Sequence, residues 1–171
     1  MRKILYGCAA VLMSLPTFAA EPPPDAITQP VAENEPFFTP YGAPITLAEA
    51  RKVLGGAQTE ATKHKWHLAC AVVEPTGELV AFEKMDDTQY ASIDVSIAKA
   101  KAAARFRRSI KAFQDTVKGG NASPLSYPGV IAGEGSFPII KGGKLIGAIG
   151  CSGSASNQDA TAAWAGTQEI K

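Results

Sequence analysis

Apolar residues in two parts of the chain follow a helical spacing. From Leu47 to Lys65 they recur every three or four positions, and the run Thr46-Leu-Ala-Glu49 has the spacing of a capping box. Residues 92–106 repeat the pattern with many alanines. The spacing predicts one helix from Thr46 to about Lys65 and a second over residues 92–106.

The segments between these helices have the pattern of strands. Residues 67–74 are almost continuously apolar, which is typical of a strand in the centre of a sheet. Residues 78–85 alternate after a turn that begins at Pro75, as the second strand of a hairpin does. We therefore predict two paired strands here.

A further hairpin is predicted near the end of the chain. The apolar segments 137–140 and 145–151 flank Gly142 and Gly143, which accept the positive φ of a tight turn. Residues 130–132 form another short apolar segment, which we predict as an additional strand.

Two shorter helices complete the pattern. Ser109 can cap one that continues to about Val117, and a small polar loop precedes a closing helix from Asn157. The order of helix, two strands, two helices, three strands and helix predicts an α+β fold with an antiparallel sheet.

The first 20 of the 171 residues have the features of an export signal. Arg2 and Lys3 precede an apolar run over residues 4–15 that is too short to span a bilayer, and Ala19 and Ala20 offer a cleavage site. Removing Arg2 and Lys3 takes the net charge from +1 to about −1, which gives no basis for binding nucleic acid or an anionic membrane. We expect a periplasmic or secreted protein with no membrane span.

Residues 21–44 are rich in Pro, Glu and Asn and predict an extended tail before one domain over residues 45–171. Phe37, Phe38 and Tyr41 are its apolar exceptions, and we expect them to dock on this domain or on a neighbouring subunit.

Export would place Cys70 and Cys151 in an oxidising compartment. Both lie in apolar strand segments, where a cysteine also serves as a small core residue. A disulfide between them requires that their strands be neighbours. The sequence leaves open whether they form a disulfide or are two separate core residues.

Four segments, in their order and spacing, resemble the GlcG/HbpS-type family, also called the haem-degrading domain family. The resemblance extends over about residues 44–166 and is carried by residues 46–51, 71–86, 97–108 and 137–153. It implies a profilin-like fold with a five-stranded antiparallel sheet, a homo-oligomer, and haem or another flat or acidic ligand as partner. The small side chains of residues 98–104 would let a partner subunit approach closely.

A long irregular loop over residues 118–129 is one candidate binding segment, because such loops are often functional. The resemblance implies that a threonine of this loop approaches the iron in haem-binding relatives. Here Ser123 is the nearest hydroxyl, and Tyr127 is a second candidate because tyrosinate is a known haem ligand.

The densest charge cluster is the run from Arg105 to Arg108. It is either a solvated helix end, stabilised by the helix dipole, or an anion site for the carboxylates of haem or of a small acid. Lys99, less than two turns earlier, is expected at the edge of the same surface. We place the ligand site where residues 119–129 meet this helix end, with Arg105 holding a carboxylate.

His64 and His67 flank the break between the first helix and the first strand, with Trp66 between them. His64 either interacts favourably with the helix C-terminus or binds haem iron or another metal. It defines the alternative site.

Two acidic residues are further candidates. Glu134, set between two glycines, is either a general acid or base or a subunit contact. Asp159 is expected to stabilise the N-terminus of its helix.

Three functions remain open. The first is an exported haem- or tetrapyrrole-binding protein, with haem degradation as an added activity. The second is a non-enzymatic sensor or binding module for a small organic acid. The third is an enzyme of small-molecule metabolism with Glu134 as acid or base, although the sequence selects no reaction.

Overall fold

The capping box predicted at Thr46 forms in the computed structural model, which describes residues 39–170. The Thr46 hydroxyl accepts from the Glu49 amide at 3.3 Å, and the Glu49 carboxylate accepts from the Thr46 amide at 3.0 Å. Two amides that the first helical turn leaves unpaired are thereby satisfied.

The elements of the described residues follow the predicted order, with one strand fewer. The helices are α1 (Leu47–Lys63), α2 (Ala91–Phe106), α3 (Lys111–Lys118) and α4 (Ser156–Thr167), with a short 3-10 turn at Ser123–Ser126. The strands are β1 (Ala69–Val73), β2 (Leu79–Lys84), β3 (Ser136–Lys141) and β4 (Lys144–Ser152).

The sheet is antiparallel, as predicted, with the order β2-β1-β4-β3. The two central strands pair with Val72 opposite Ile149. The turn between β3 and β4 uses Gly142 and Gly143 at φ values of 55° and 73°, which confirms the predicted glycine hairpin.

The expected five-stranded sheet is wrong, because residues 130–132 do not form a strand. Their side chains pack instead on a cluster that contains Phe106, Ile110 and Phe113. The Val130 amide donates to the Tyr127 carbonyl in a turn. This segment therefore packs against the helices and does not pair with the edge strand of the sheet. The sheet of the described residues has four strands.

Helices cover both faces of the sheet. Alternate residues of β1 point to opposite sides: Cys70 and Val72 join the core beneath α1 and α4, whereas Ala71 and Val73 join the core beneath α2. At Gly150, a Cβ atom would lie only 2.4 Å from backbone atoms of α2. The absence of a side chain at this position therefore allows the α2 backbone to lie close to β4.

The alanines of α2 are used within the chain. Ala100, Ala103 and Ala104 are fully buried against the sheet. Their small side chains therefore serve this packing, and they do not supply the subunit contact for which the sequence suggested them. Association of subunits stays a prediction.

Cys70 and Cys151 face each other across β1 and β4 and are joined as a disulfide, with Cα atoms 4.2 Å apart. Of the two alternatives left open by the sequence, the structure has the cross-link. It joins the two central strands of the sheet.

Tyr41, from the expected tail, docks on this domain. It forms a single parallel bridge with Leu145, beyond the end of β1. The Tyr41 hydroxyl donates to the carbonyl oxygen of Arg105 at 3.1 Å. The predicted signal segment, Phe37 and Phe38 lie outside the described residues. Within residues 39–170, no helix combines the length and apolar character needed to cross a membrane.

Candidate functional site

A cavity of about 280 Å³ lies between α3 and the loop that follows it. We call it the loop cavity. Its walls combine an aromatic ring, a phenol, hydroxyl groups and a guanidinium, which is a mixed lining suited to a flat ligand with acidic groups. The lining residues are Arg108, Ala112, Phe113, Thr116, Asn121, Ser123, Pro124 and Tyr127.

Local hydrogen bonds fix the loop side of this cavity. The Asn121 side-chain oxygen accepts from the Ser123 amide at 2.9 Å, and the Ser126 hydroxyl donates to the Ser123 carbonyl at 2.8 Å. The Tyr127 amide donates to the Pro124 carbonyl. The short turn therefore holds Ser123 and Tyr127 at the cavity, and Tyr127 remains 46% exposed.

Aromatic contacts fix the opposite wall. Phe106 and Phe113 meet edge to face at 5.0 Å between ring centres. The Arg108 guanidinium lies 5.4 Å from the centre of the Phe113 ring, and its Nε donates to the Phe106 carbonyl at 3.1 Å. The basic group at this wall is therefore held by packing as well as by a hydrogen bond.

A second cavity, of about 430 Å³, opens beside the C-terminal end of α2. We call it the Tyr41 groove, and its lining residues are Tyr41, Pro75, Thr76 and Arg105. No lining residue is shared with the loop cavity. The structure thus brings Ser123 and Tyr127 together, and Arg105 lines a different cavity, whereas Arg108 is the arginine at the loop.

The histidines lie at neither cavity. His64 stacks on Trp66 with ring centres 4.4 Å apart, and its Nε2 is 3.2 Å from a Glu60 carboxylate oxygen. His67 Nδ1 is 2.9 Å from the carbonyl oxygen of Asp86. Within residues 39–170, no cluster of three or more His, Cys, Asp or Glu side chains could hold a metal ion.

Glu134 is half-buried, and its carboxylate accepts from the Gln114 side-chain amide at 3.2 Å. This contact joins the segment before β3 to α3. Glu134 does not line either cavity.

Lys99 and Asp159 form a buried ion pair, with Nζ and Oδ2 2.9 Å apart. Lys99 also donates to the Cys151 carbonyl at 3.0 Å, and Asp159 accepts from the Ser154 amide at 3.1 Å. Burial raises the pKa of Asp159, against the opposing effect of the Lys99 charge. The expectation that Lys99 lies at the edge of the basic surface is wrong, because its side chain is only 6% exposed and faces α4.

Sequence reasoning missed Phe113, Thr116 and Asn121 as cavity residues. Phe113 and Thr116 are three positions apart on α3, which places them on one face of the helix. Asn121 precedes a Ser-Pro turn, where a side-chain oxygen often accepts from a nearby amide. These local signals identify the wall once the helix is known to face the loop.

The described residues therefore define a small α+β protein with two ligand-sized cavities at one end of α2. Residues 45–168 match the family model described as "Haem degrading protein HbpS-like". Because the match covers most of the chain, the protein belongs to this family.

Known relatives agree with this assignment. Protein GlcG of Escherichia coli (strain K12) is 34% identical over 103 residues, which are 60% of this chain and 77% of GlcG. The crystal structure of Klebsiella pneumoniae protein ORFY matches with a TM-score of 0.70 and 23% identity, over 82% of this chain and 97% of ORFY. A crystal structure of a PduOC:heme complex matches with a TM-score of 0.68 and 22% identity, over 75% of this chain and 96% of that one. At these identities the two structures show a shared fold.

Proposed function

We propose that the protein binds haem or a related tetrapyrrole at the loop cavity. The observation that carries the proposal is the meeting of a phenol, a hydroxyl and a guanidinium at one opening, from Tyr127, Ser123 and Arg108. Phe113 adds an apolar ring to the same lining. This set matches the three demands of haem, which are a donor for the iron, a cation for the propionates and apolar contact for the macrocycle.

The donor chemistry favours Tyr127 as the residue that would hold the iron. Tyrosinate is a known haem ligand, and Tyr127 lies at the rim, where its ring is partly exposed. Ser123 is the second oxygen donor at the same opening. The cavity is open to solvent and can therefore receive one edge of a macrocycle larger than itself.

Two comparisons support the ligand class. The family to which the chain belongs is described as haem-degrading, and a protein of the same fold was crystallised with haem. The proposal extends to haem degradation, to which the structure assigns no residue.

We also propose that the protein is exported and works in an oxidising compartment. The signal-like features of residues 1–20 carry this proposal. The Cys70–Cys151 disulfide supports it, because such cross-links persist mainly outside the cytosol. Cell fractionation should find the protein in the periplasm or medium, in a form shorter by about 20 residues; a full-length cytosolic form would contradict export.

The experiment that tests haem binding is a haemin titration followed at the Soret band. The wild type should give an intense, shifted band that saturates. Arg108→Ala should weaken binding by roughly 1.5–3 kcal/mol, the usual cost of losing a charge-assisted hydrogen bond. Circular dichroism checks that the variant is folded, since Arg108 also packs on Phe113.

Two matched variants separate the candidate sites. Arg105→Ala removes the arginine of the Tyr41 groove, and His64→Ala removes the histidine stacked on Trp66. We expect both to bind haemin like the wild type. A loss confined to His64→Ala would move the site to the histidines, a loss confined to Arg105→Ala would move it to the groove, and no saturable band would contradict haem binding.

A further inference from the structure

We infer that the Tyr41 groove is a second binding site, for a small monocarboxylic acid with a flat apolar body. The inference goes beyond the proposed haem site, because the two cavities share no lining residue. It rests on the lining of the groove, on the Arg105 guanidinium, and on the helix end beside it.

The walls of the groove are largely apolar. The Tyr41 ring and the Pro75 ring provide flat surfaces, and the groove encloses about 430 Å³. The one hydroxyl of the lining besides that of Tyr41 belongs to Thr76, which donates to a Glu74 carboxylate oxygen at 2.8 Å. These walls therefore favour a flat apolar body in the ligand.

Arg105 is the cation of the lining, and the stem of its exposed side chain lies against the turn between β1 and β2. Gly77 packs on its stem so closely that a Cβ atom there would lie 3.2 Å from the Arg105 Cδ. Within residues 39–170, the Arg105 side chain has no hydrogen bond or ion pair. A guanidinium without a protein partner suits a carboxylate, which it can bind through two parallel hydrogen bonds.

The end of α2 would normally oppose an anion at this place, because its last carbonyls carry partial negative charge. The Tyr41 hydroxyl covers them: its oxygen lies 3.1 Å from the Arg105 carbonyl oxygen and 3.4 Å from that of Ala104. The backbone amide of Arg107 also donates to the carbonyls of Ala103 and Ala104. The C-terminal end of α2 therefore repels a carboxylate less than a helix end with unpaired carbonyls would.

The remaining charges near the groove are of both signs, which favours a ligand with a single negative charge. Lys101 is 3.8 Å from the Glu78 carboxylate, and both are exposed. The Arg107 guanidinium lies 5.4 Å from the centre of the Tyr41 ring. Among the described lining residues Arg105 is the one cation, so the carboxylate of the ligand would pair with it.

The test uses benzoate as the probe and benzamide, of the same shape but uncharged, as its control. Backbone amide shifts are followed by NMR during titration of the full-length protein. Benzoate should shift the amides of Tyr41, Thr76 and Arg105 with a saturable curve, and benzamide should bind at least about tenfold more weakly. Arg105→Gln should weaken benzoate at least about tenfold, whereas Arg51→Gln, on the exposed side of α1, should not.

A second variant tests the groove without touching its charge. Thr76→Tyr places a bulky side chain in the opening and should block benzoate while Arg105 remains. Tyr127→Phe, at the loop cavity, should leave benzoate binding unchanged whether or not haemin binds. Equal shifts with benzamide, unchanged benzoate binding in Arg105→Gln, or no saturable shifts in the wild type would each overturn the inference.

Discussion

The buried ion pair between Lys99 and Asp159 gives the sharpest prediction about stability. It joins α2 to α4 and, through the Cys151 carbonyl, to the end of β4. The side chains of both partners are nearly inaccessible, at 6% and 3% exposure. Removing either one leaves the other as a charge without a counter-charge in the interior.

The expected cost follows from that burial. Breaking a buried ion pair by removing one partner costs about 3–5 kcal/mol, because the remaining charge stays desolvated. We expect losses of this size for Lys99→Met and for Asp159→Asn. The double variant leaves no buried charge, and it should be more stable than the sum of the single losses implies by about 2–3 kcal/mol.

Urea unfolding of the four proteins measures this coupling directly. The pH dependence of the stability of Lys99→Met also tests the direction of the pKa shift of Asp159. Without the lysine charge, burial still raises the pKa of Asp159 in the folded state, so the folded protein takes up a proton before the unfolded chain does. The loss caused by Lys99→Met should therefore shrink as the pH falls toward the ordinary carboxyl range.

Lys101→Met is the matched control, because Lys101 lies on the same helix in an exposed pair with Glu78. It should change the free energy of unfolding by less than about 1 kcal/mol. A cost for Lys99→Met no larger than that of this control, or full additivity of the two single losses in the double variant, would contradict a stabilising role of the buried pair.

Three further outcomes are expected. Replacing both Cys70 and Cys151 by alanine should lower the free energy of unfolding by about 2–4 kcal/mol, because the disulfide closes a loop of 81 residues; equal stability of oxidised and reduced wild type would contradict this. Hydrogen bonds from the Lys141 ammonium and from the amide and hydroxyl of Thr46 lower the pKa of Glu49 from 4.5 to about 2, so the stabilisation by Glu49 is present above pH 4.5 and is lost as the pH falls toward 2. Accordingly, Glu49→Gln should differ from the wild type in urea unfolding at neutral pH, and the difference should fade across that interval. Finally, Gly150→Ala should destabilise by roughly 1–3 kcal/mol, because its methyl group meets the α2 backbone; a neutral effect in thermal unfolding would show that α2 can move away.

Local patterns were enough to predict most of the fold. The capping box at Thr46 and the glycine turn at Gly142 and Gly143 each depend on neighbours within a few residues, and each formed as predicted. The extra strand at residues 130–132 failed because an apolar run can pack on a helix as well as join a sheet. To decide whether residues 130–132 pack on a helix or join the sheet, one must know where Phe113 lies, and the local sequence pattern does not give that position.

The site was less accessible to sequence reasoning. The loop residues Ser123 and Tyr127 were found because the loop is long and irregular, and they do share a cavity. Arg105 and Arg108 are one helical turn apart in sequence, yet they face different cavities because the helix ends between them, with Arg107 in a left-handed conformation. Similarly, nothing near Lys99 in sequence shows that it meets Asp159, which is 60 positions away.

We propose that Tyr127 lies at a haem site, and a spectroscopic titration tests this proposal. Haemin is added to the wild type, to Tyr127→Phe and to Tyr90→Phe, whose ring is 84% exposed at the start of α2. We expect a saturable Soret band with tyrosinate character in the wild type and in Tyr90→Phe, and a shifted or strongly weakened band in Tyr127→Phe. Identical spectra and affinities for all three proteins would contradict it.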